Sequence, residues 1–354
     1  MPSWITRVLV RSSSVVALVG AAVLAGVGPA VAADEAPAPE EFTLLDERLT
    51  ESSGLAASTR HPDVYWTHND SDDAARIYAV DGTTGETVAT VDLAGVTARD
   101  IEAISLGPDG NLYVGDIGDN FDGGWSEVWI YRIAEPAELT DQSVTPTTFT
   151  VQYADGPRNA EALMVHPETG RVYIASKKGD ESGALYAGPE ALSEAGVNVF
   201  EPVADVPLEV TDGAFSPDGS RLLLRGYFAA RMYAWGADGL PERLESRVRV
   251  PIQRQGESVT FAVGGRYVMF GSEGAGSEVT PVELSGELLP ADVAAADEER
   301  AAREGGSSDG GSGEAGADDG SDGGLSSNAV LVLLVVGAVA LLASRRLPGG
   351  GGKG

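Results

Sequence analysis

Short apolar stretches separated by turn residues recur along the chain from residue 41 to residue 289. Each unit has an apolar stretch, a turn with Pro, Asp or Gly, a second apolar stretch, a loop, and a third stretch with Tyr or Trp. Short stretches bounded by turn residues predict β-strands, and little of this segment has helical periodicity. The pattern therefore predicts an all-β domain over residues 41–289.

Five copies of the unit can be aligned, and their equivalent positions are Ser53, Glu102, Glu161, Thr211 and Glu257. The spacings of 49, 59, 50 and 46 residues match one four-stranded propeller blade, which takes roughly 40–50 residues. The fifth copy lacks a fourth strand, which the strand beginning at Glu41 can supply. We therefore expect a closed β-propeller with five blades, because closure removes free sheet edges. Six blades are the main alternative, and a β-sandwich is a weaker one.

The first 32 residues have the pattern of a secretory signal peptide. Arg7 and Arg11 give a positive start, Val15 to Val27 form an apolar run, and Ala30-Val31-Ala32 is a small-x-small cleavage pattern. An uncleaved membrane helix is the alternative, but the run is short for a membrane span. We expect cleavage after Ala32 and export of the rest of the chain.

The C-terminal part of the chain predicts a spacer followed by a membrane anchor. Residues 290–327 are rich in Gly, Ser, Asp and Glu and nearly free of large apolar residues, which predicts a disordered acidic spacer. Residues 328–344 are apolar and long enough for one membrane span. Arg345 and Arg346 would hold the short tail, 345–354, in the cytoplasm. We therefore expect a single-pass cell-membrane protein with its β domain outside the cell and the membrane as one partner.

Charge and composition exclude several functions. The net charge is −30, from 24 Lys and Arg against 54 Asp and Glu, so the chain should repel phosphate backbones and bind no nucleic acid. There is no cysteine, which removes thiolate metal sites and cysteine nucleophiles. With three histidines, a zinc site built on several imidazoles is disfavoured. Cations, sugars, other small molecules and proteins remain as ligands.

The predicted propeller brings charged and polar residues together at one face. In each blade the innermost strand starts, and the next strand ends, on the same face around the channel. The innermost-strand starts carry Asp100, Glu102, Glu161, Asp212 and Glu257. The second-strand ends carry His68-Asn69-Asp70, Asp116 to Asn120, Lys177-Lys178, Arg225 and Ser272-Glu273. Carboxylates at this density repel unless a cation or hydrogen-bond donors intervene, and hard oxygen ligands suit Ca²⁺ or Mg²⁺.

We expect a metal site, with Ca²⁺ as the ion, in the oxygen-rich loops that follow two second strands. The first metal-ligand candidates are Asp70, Asp116, Asp119 and Asn120, and Asp100 and Glu102 come next. The ligand-binding candidates are His68, Asn69, Asp100, Glu102, Lys177 and Arg225. The alternative is structural, because acidic residues at strand starts often cap neighbouring backbone amides or pair with Lys or Arg. Glu161 and Glu257 fit this alternative best.

One histidine lies on the predicted functional face. As a general base, His68 would need a nearby carboxylate such as Asp70 or Asp116. A histidine hydrogen-bonded to a surface loop is the alternative. Lys177, Lys178 and Arg225 are candidates for stabilising a developing negative charge. The sequence contains no GxSxG, Gly-rich phosphate loop or HExxH motif.

Four motifs carry a resemblance to a family of secreted bacterial propeller proteins. They read Ser53-Gly54-Leu55-Ala56-Ala57-Ser58, Trp66-Thr67-His68-Asn69-Asp70, Asp100-Ile101-Glu102-Ala103-Ile104 and Asp116-Ile117-Gly118-Asp119-Asn120. The family often has tryptophan and a second acid in the third motif, where this chain has Ile101 and Ala103. More distantly, the chain is similar to SdiA-regulated and phytase-like esterase propellers. That resemblance implies calcium and phosphoester hydrolysis, although one fold hosts many functions.

These features favour an extracellular, membrane-anchored propeller that binds a ligand, together with a divalent cation, at its acidic face. A metal-dependent hydrolase of phosphoesters or lactones is the first alternative, because Lys and Arg accompany the acids. A structural surface scaffold without a site is the second.

Overall fold

The computed structural model describes residues 38–70, 74–121, 123–177 and 183–307. The predicted signal peptide, membrane span and cytoplasmic tail lie outside the described residues. Among the described residues, no helix is both long and apolar enough to cross a membrane.

The described chain consists mainly of short strands in antiparallel groups. A two-residue strand, β1 (Phe42–Thr43), comes first. The first group contains β2 (Ser52–Ala57), β3 (Val64–Asn69), β4 (Arg76–Asp81) and β5 (Thr87–Leu93). The second contains β6 (Ile101–Leu106), β7 (Asn111–Asp116), β8 (Val128–Ala134) and, after the short β9 (Gln142–Val144), β10 (Thr147–Tyr153). Strand β9 pairs in parallel with β5.

The same arrangement continues to the end of the domain. The third group contains β11 (Ala160–Val165), β12 (Val172–Ser176), β13 (Gly183–Ala187) and β14 (Val197–Val206). Strand β14 pairs in parallel with β10, so the second and third groups form one eight-stranded sheet. The fourth contains β15 (Asp212–Phe215), β16 (Arg221–Arg225), β17 (Ala230–Trp235) and β18 (Pro241–Arg243). The fifth contains β19 (Gly256–Phe261), β20 (Tyr267–Ser272), β21 (Glu278–Glu283) and the early strand β1.

The first strands of the groups form a closed ring. Strand β2 contacts β6, β6 contacts β11, β11 contacts β15, β15 contacts β19, and β19 contacts β2. Strand β1 pairs with β21, with Phe42 opposite Val279, so the two ends of the domain meet in one sheet. The all-β prediction and the pairing of the ends are confirmed. Meandering sheets arranged around a ring of inner strands define a β-propeller.

Apolar side chains fill the spaces between neighbouring groups. Trp66, for example, is fully buried among Ile77, Ile104 and Val114, at the boundary between the first two groups. Its ring N–H donates to a carboxylate oxygen of Glu135 over 2.8 Å, so burial leaves no polar atom of the ring unpaired. Each such large apolar side chain stabilises the fold by roughly 1.5–3 kcal/mol. These contacts fix the groups around the channel.

The start of the predicted spacer is helical. A 3₁₀ turn (Gly286–Leu288) leads into α1 (Ala291–Ser307), where disorder was expected from residue 290. The helix is rich in Ala, Glu and Arg, which are good helix formers. Val293 is buried in a cluster with Leu288 and Leu289, and Arg266 pairs with Asp297 over 2.5 Å. These contacts correct the predicted boundary, because the domain extends into the helix.

Candidate functional site

One end of the ring of inner strands opens into a small polar cavity of about 100 Å³. Its lining residues come from the starts of inner strands and from the loops after second strands, as the propeller prediction expects. They are Glu51, Ser53, Asp70, Glu102, Glu161, Lys177, Tyr227, Gln255, Glu257 and Glu273. We call this space the acidic cavity.

β-bulges direct the inner-strand residues into the acidic cavity. In β6 the register skips from Ile101 to Ala103, in β11 from Ala160 to Ala162, and in β19 from Gly256 to Ser258. The skipped residues are Glu102, Glu161 and Glu257. A bulged residue has no partner across the ladder, so its side chain is re-aimed. In β2 the skip covers both Ser53 and Gly54, and Ser53 also lines the cavity.

The fourth inner strand, β15, has no β-bulge. Strand β15 keeps an unbroken register with β16, and Asp212 lies opposite Arg225. The Asp212 carboxylate is buried and accepts hydrogen bonds from the backbone amides of Gly213 and Val259, each over 2.7 Å. It therefore caps the neighbouring group, which is the structural role that the sequence left open for these acids.

Three carboxylates approach closely enough to share one ion. One oxygen each from Asp70, Asp100 and Glu102 lies within 4.8 Å of the other two. Two oxygens bound to the same Ca²⁺ are at most about 5 Å apart, since Ca–O distances are 2.3–2.6 Å. Asp100 and Glu102 are buried, and Asp70 is partly exposed at the end of β3. The donor set is all oxygen, so these residues fit a hard divalent cation.

The electrostatics of the trio are unfavourable without a cation. Burial raises the pKa of Asp100 to about 7, and the negative charge of Asp70 adds to the rise. Burial raises the pKa of Glu102 well above its usual range, with further contributions from Glu161 and Asp70. Carboxyl groups held in this way take up protons near neutral pH, or else need a positive charge beside them.

A lysine lies on the other side of the acidic cavity. Lys177 Nζ is 2.5 Å from a carboxylate oxygen of Glu161, and it lies 5.4 Å from the ring centre of Tyr227. Burial raises the pKa of Glu161 to about 7 even though Lys177 acts in the opposite direction. Burial opposes the charge of Lys177, but Glu161 outweighs it, and the pKa of Lys177 is raised. Lys177 therefore carries a positive charge in the cavity.

Glu257 completes the carboxylates of the inner strands. Burial raises its pKa to about 8, although a hydrogen bond from Gln255 favours the ionised form. Gln255 Nε2 lies 2.9 Å from Glu257 Oε1 and also contacts Glu273. The amide thus joins two acids that otherwise repel each other.

Two of the predicted metal ligands, Asp116 and Asp119, instead accept hydrogen bonds from backbone amides. The oxygens of the fully buried Asp116 accept hydrogen bonds from the amides of Arg99 and Asp100 and from the hydroxyl of Tyr131. Asp119 accepts from the amides of Phe121 and Trp125 and so shapes the loop after β7. Neither residue lines the cavity.

The two predicted asparagines support the cavity from behind. Asn120 Nδ2 donates to Asp100 over 3.1 Å, so it orients one member of the trio. Asn69 accepts from the amide of Glu51 and donates to the carbonyl of Arg48. Asn69 thereby fixes the segment that carries Glu51 to the edge of the cavity.

His68 lies in the wall of the ring. It is fully buried, its Nδ1 lies 2.9 Å from the carbonyl of Asn69, and its Nε2 has no hydrogen-bond partner within the described part of the chain. Burial lowers its pKa and so favours the neutral ring. A Cβ at Gly54 would lie 2.6 Å from Nε2, so only glycine leaves room for this ring. The described structure places His68 outside the cavity lining.

Arg225 also lies away from the cavity. It is fully buried, and its Nη1 donates to the carbonyls of Ser258 and Gly271 over 2.5 and 2.6 Å. Its Nη2 donates to Gln253 over 2.6 Å. Arg225 therefore ties the fourth group to the fifth. Lys178 lies outside the described residues.

Sequence reasoning missed four cavity residues: Glu51, Ser53, Tyr227 and Gln255. Three of them carry a usable signal in the sequence. Ser53 was aligned with Glu102, and Gln255 stands two residues before Glu257 as Asp100 stands two residues before Glu102. Tyr227 follows the second strand of its group, where the other groups place polar cavity residues. Extending each alignment by two positions would have found Gln255 and Tyr227.

Fold and cavity together define an all-β propeller with an acidic, oxygen-rich site at one end of its channel. No protein-family model matches the chain. No curated protein is significantly similar to it in sequence.

Among solved structures, the chain is similar to a gluconolactonase from Xanthomonas campestris, with 14% identity, a TM-score of 0.41, and coverage of 71% of this chain and 89% of that one. It is similar to an oxidoreductase of the glucose dehydrogenase type from Thermus thermophilus, with 15% identity, a TM-score of 0.42, and coverage of 66% and 84%. A chain of the mitotic checkpoint complex has 13% identity and a TM-score of 0.38, and this protein spans 63% of its length. Likenesses this low carry no inference about function.

Proposed function

We propose that this protein is a five-bladed propeller that binds Ca²⁺, and through it an oxygen-bearing ligand, at the acidic cavity. The single observation behind the proposal is the mutual approach of Asp70, Asp100 and Glu102 within 4.8 Å. Folding these charges together is unfavourable unless something positive accompanies them. A bound cation provides that charge. The closed ring of five inner strands supports the blade number.

The residues of the cavity fit Ca²⁺ better than a transition metal. Ca²⁺ takes six to eight oxygen ligands, and the cavity supplies carboxylate, hydroxyl and amide oxygens. His68 is turned into the wall and the chain has no cysteine, so nitrogen and sulfur ligands are missing from the described lining. When bound, the ion would polarise an oxygen of the ligand. Lys177 would attract a negative group on the same ligand.

The extracellular location that we propose rests on the sequence of the two ends of the chain. A cleaved signal peptide over residues 1–32 and a membrane span over 328–344 would present the cavity outside the cell. Free Ca²⁺ is more abundant there than in the cytoplasm, so a site of modest affinity would be occupied. The ligand would be a small molecule, a sugar or a group on a protein.

Calorimetric titration of the full-length, metal-free protein with CaCl₂ tests the proposal. We expect one strong binding event. Asp70→Asn and Glu102→Gln should each weaken it by at least about ten-fold, because each removes one charged ligand. Matched controls are Asp205→Asn and Glu201→Gln, which change exposed carboxylates on β14 and should leave the affinity unchanged. Equal affinity in the wild-type protein and both cavity variants would refute the site.

A metal-dependent hydrolase is the second candidate, and the position of Lys177 favours it. In such a reaction a water oxygen bonds to phosphorus or to an acyl carbon, the bond to the leaving oxygen breaks, and a proton passes to that oxygen. Glu161 lies where it could hold the proton, and Lys177 where it could stabilise negative charge. Turnover of a generic phosphoester or lactone that is lost in Lys177→Gln, with Ca²⁺ binding retained, would establish this activity. Ca²⁺ binding without turnover would leave the binding function.

A further inference from the structure

A second concave surface lies on the outer edge of the fourth group, away from the acidic cavity. It is a groove of about 510 Å³ lined by residues 228–231, 243–248 and 250. We call it the edge groove. Strand β18 has three residues, so it covers only the last part of β17, from Tyr233 to Trp235. The first part of β17 therefore borders the groove.

The edge groove is positive on a strongly negative chain. Between residues 221 and 254 the sequence has seven arginines and three acidic residues, whereas the whole chain carries a net charge of −30. Arg231, Arg243 and Arg247 line the groove, and Glu245 is the one carboxylate among its described lining residues. None of the three arginines forms an ion pair within the described part of the chain.

Two buried hydrogen-bond donors beside these arginines have no acceptor. Arg231 Nε and the hydroxyl of Tyr233 are buried without a hydrogen-bond partner in the described structure. Tyr233 is 6% exposed, lies two residues after Arg231 on the same face of β17, and is opposite Arg243 in the sheet. Burial raises the pKa of Tyr233, and the charges of Arg231 and Arg243 act against the rise. Leaving a buried donor unpaired costs about 1–3 kcal/mol.

We propose that the edge groove binds a phosphate-type oxyanion, carried by a small molecule or by a lipid headgroup. An oxyanion accepts several hydrogen bonds at once, and guanidinium groups recognise it through paired N–H donors. It would supply the acceptor that Arg231 Nε lacks. Phe228, which is 82% exposed at the rim, offers an apolar surface to the organic part of the ligand.

Binding of inorganic phosphate to the full-length protein, in a Ca²⁺-free buffer without other oxyanions, tests the site. Arg231→Gln and Arg243→Gln should each weaken phosphate binding by about ten-fold, since each removes a charged donor. Arg60→Gln is the matched control, because it removes one arginine charge from the first group. Tyr233→Phe keeps the shape of the side chain. Because it removes an unpaired buried hydroxyl, it should keep or raise the melting temperature without phosphate, and phosphate binding should stay, since Tyr233 is not among the residues that line the groove.

A second arm distinguishes the sources of the anion. Sedimentation with phosphatidylcholine vesicles, with and without phosphatidylglycerol, measures attachment to lipid headgroups. Arginine-dependent binding of phosphate alone supports a small-molecule ligand, and arginine-dependent binding of the anionic vesicles supports a lipid headgroup. The proposal is overturned if neither probe binds, or if Arg231→Gln and Arg243→Gln bind both probes as well as Arg60→Gln does.

Discussion

Asp116 and Glu102 are both buried carboxylates of the second group, yet their surroundings differ. Asp116 accepts three hydrogen bonds, from two backbone amides and a tyrosine hydroxyl. The contacts to Glu102 are weaker, with the hydroxyl of Ser53 at 3.4 Å. A buried charge with full hydrogen bonding stabilises the fold, whereas one beside other carboxylates opposes it. The same kind of side chain therefore has a structural role in one place and a binding role in the other.

Replacing Asp116 should damage the fold. Asp116→Ala leaves the amides of Arg99 and Asp100 and the hydroxyl of Tyr131 without their acceptor. We expect the free energy of unfolding to fall by about 2–4 kcal/mol. Urea denaturation of the metal-free protein measures it. Glu102→Gln is the comparison and should be neutral or stabilising, because it removes a repelling charge. A larger loss in Glu102→Gln than in Asp116→Ala would contradict this division of roles.

At the scale of elements, the closing strand depends on one aromatic side chain. Phe42 in β1 is 5% exposed, and its ring centre lies 5.4 Å from that of Tyr65. Strand β1 is only two residues long, so its few backbone hydrogen bonds contribute little by themselves. The buried ring therefore secures the junction of the two ends.

Phe42→Ala tests this junction. We expect a loss of about 3–5 kcal/mol in unfolding free energy, the usual cost of emptying a buried phenylalanine site. Leu45→Ala is the control, because Leu45 lies in the same segment but is 57% exposed. Thermal or urea denaturation compares the two variants. Equal stability of both would show that the ring closes without Phe42.

The sequence predicted most elements of the domain, because the repeat spacing and turn residues mark strands directly. It did not predict α1. The composition of residues 290–327 indicates disorder when averaged, but its first part alone contains Ala, Glu and Arg with Val293 at a position that packs under Leu288 and Leu289. A short amphipathic start is lost when it is averaged with the Gly- and Ser-rich stretch behind it.

Sequence reasoning puts the candidate site residues at one face of the channel, but it does not show which side chains turn into the cavity. Asp70, Glu102 and Lys177 line the acidic cavity, and Asp100 lies close to Asp70 and Glu102 without lining it. Asp116, Asp119 and Arg225 turn towards backbone groups. Sequence position shows at which end of a strand a residue lies. It does not show whether a bulge turns the side chain into the channel, because a bulge depends on pairing with the next strand.

For the whole molecule, the acidic cavity predicts an unusual dependence of stability on pH. The pKa values of Asp100, Glu161 and Glu257 are raised by burial to about 7, 7 and 8. Between the unfolded pKa values, near 4, and these values, the folded state binds more protons than the unfolded state. The free energy of unfolding therefore falls as pH rises through this window.

We expect the melting temperature of the metal-free protein to fall by about 5 °C or more between pH 5.5 and pH 8.5. Added Ca²⁺ should reverse most of the loss at pH 8.5 and little at pH 5.5, because protons then occupy the carboxylates. Scanning calorimetry at both pH values, with CaCl₂ or with a chelator, makes the comparison. A stability that is independent of pH over this range would contradict the raised pKa values.

The skipped residues of the inner strands have a consequence for how this protein can change. Glu102, Glu161 and Glu257 are each the one residue skipped in their strands, and Ser53 lies in a two-residue skip of β2, yet one of the four is a hydroxyl and three are carboxylates. A residue with no partner across the sheet makes no cross-strand pair, so strand pairing does not restrict which side chain it carries. Substitutions at these positions can therefore change the side chains at the centre of the ring one at a time while the fold is kept.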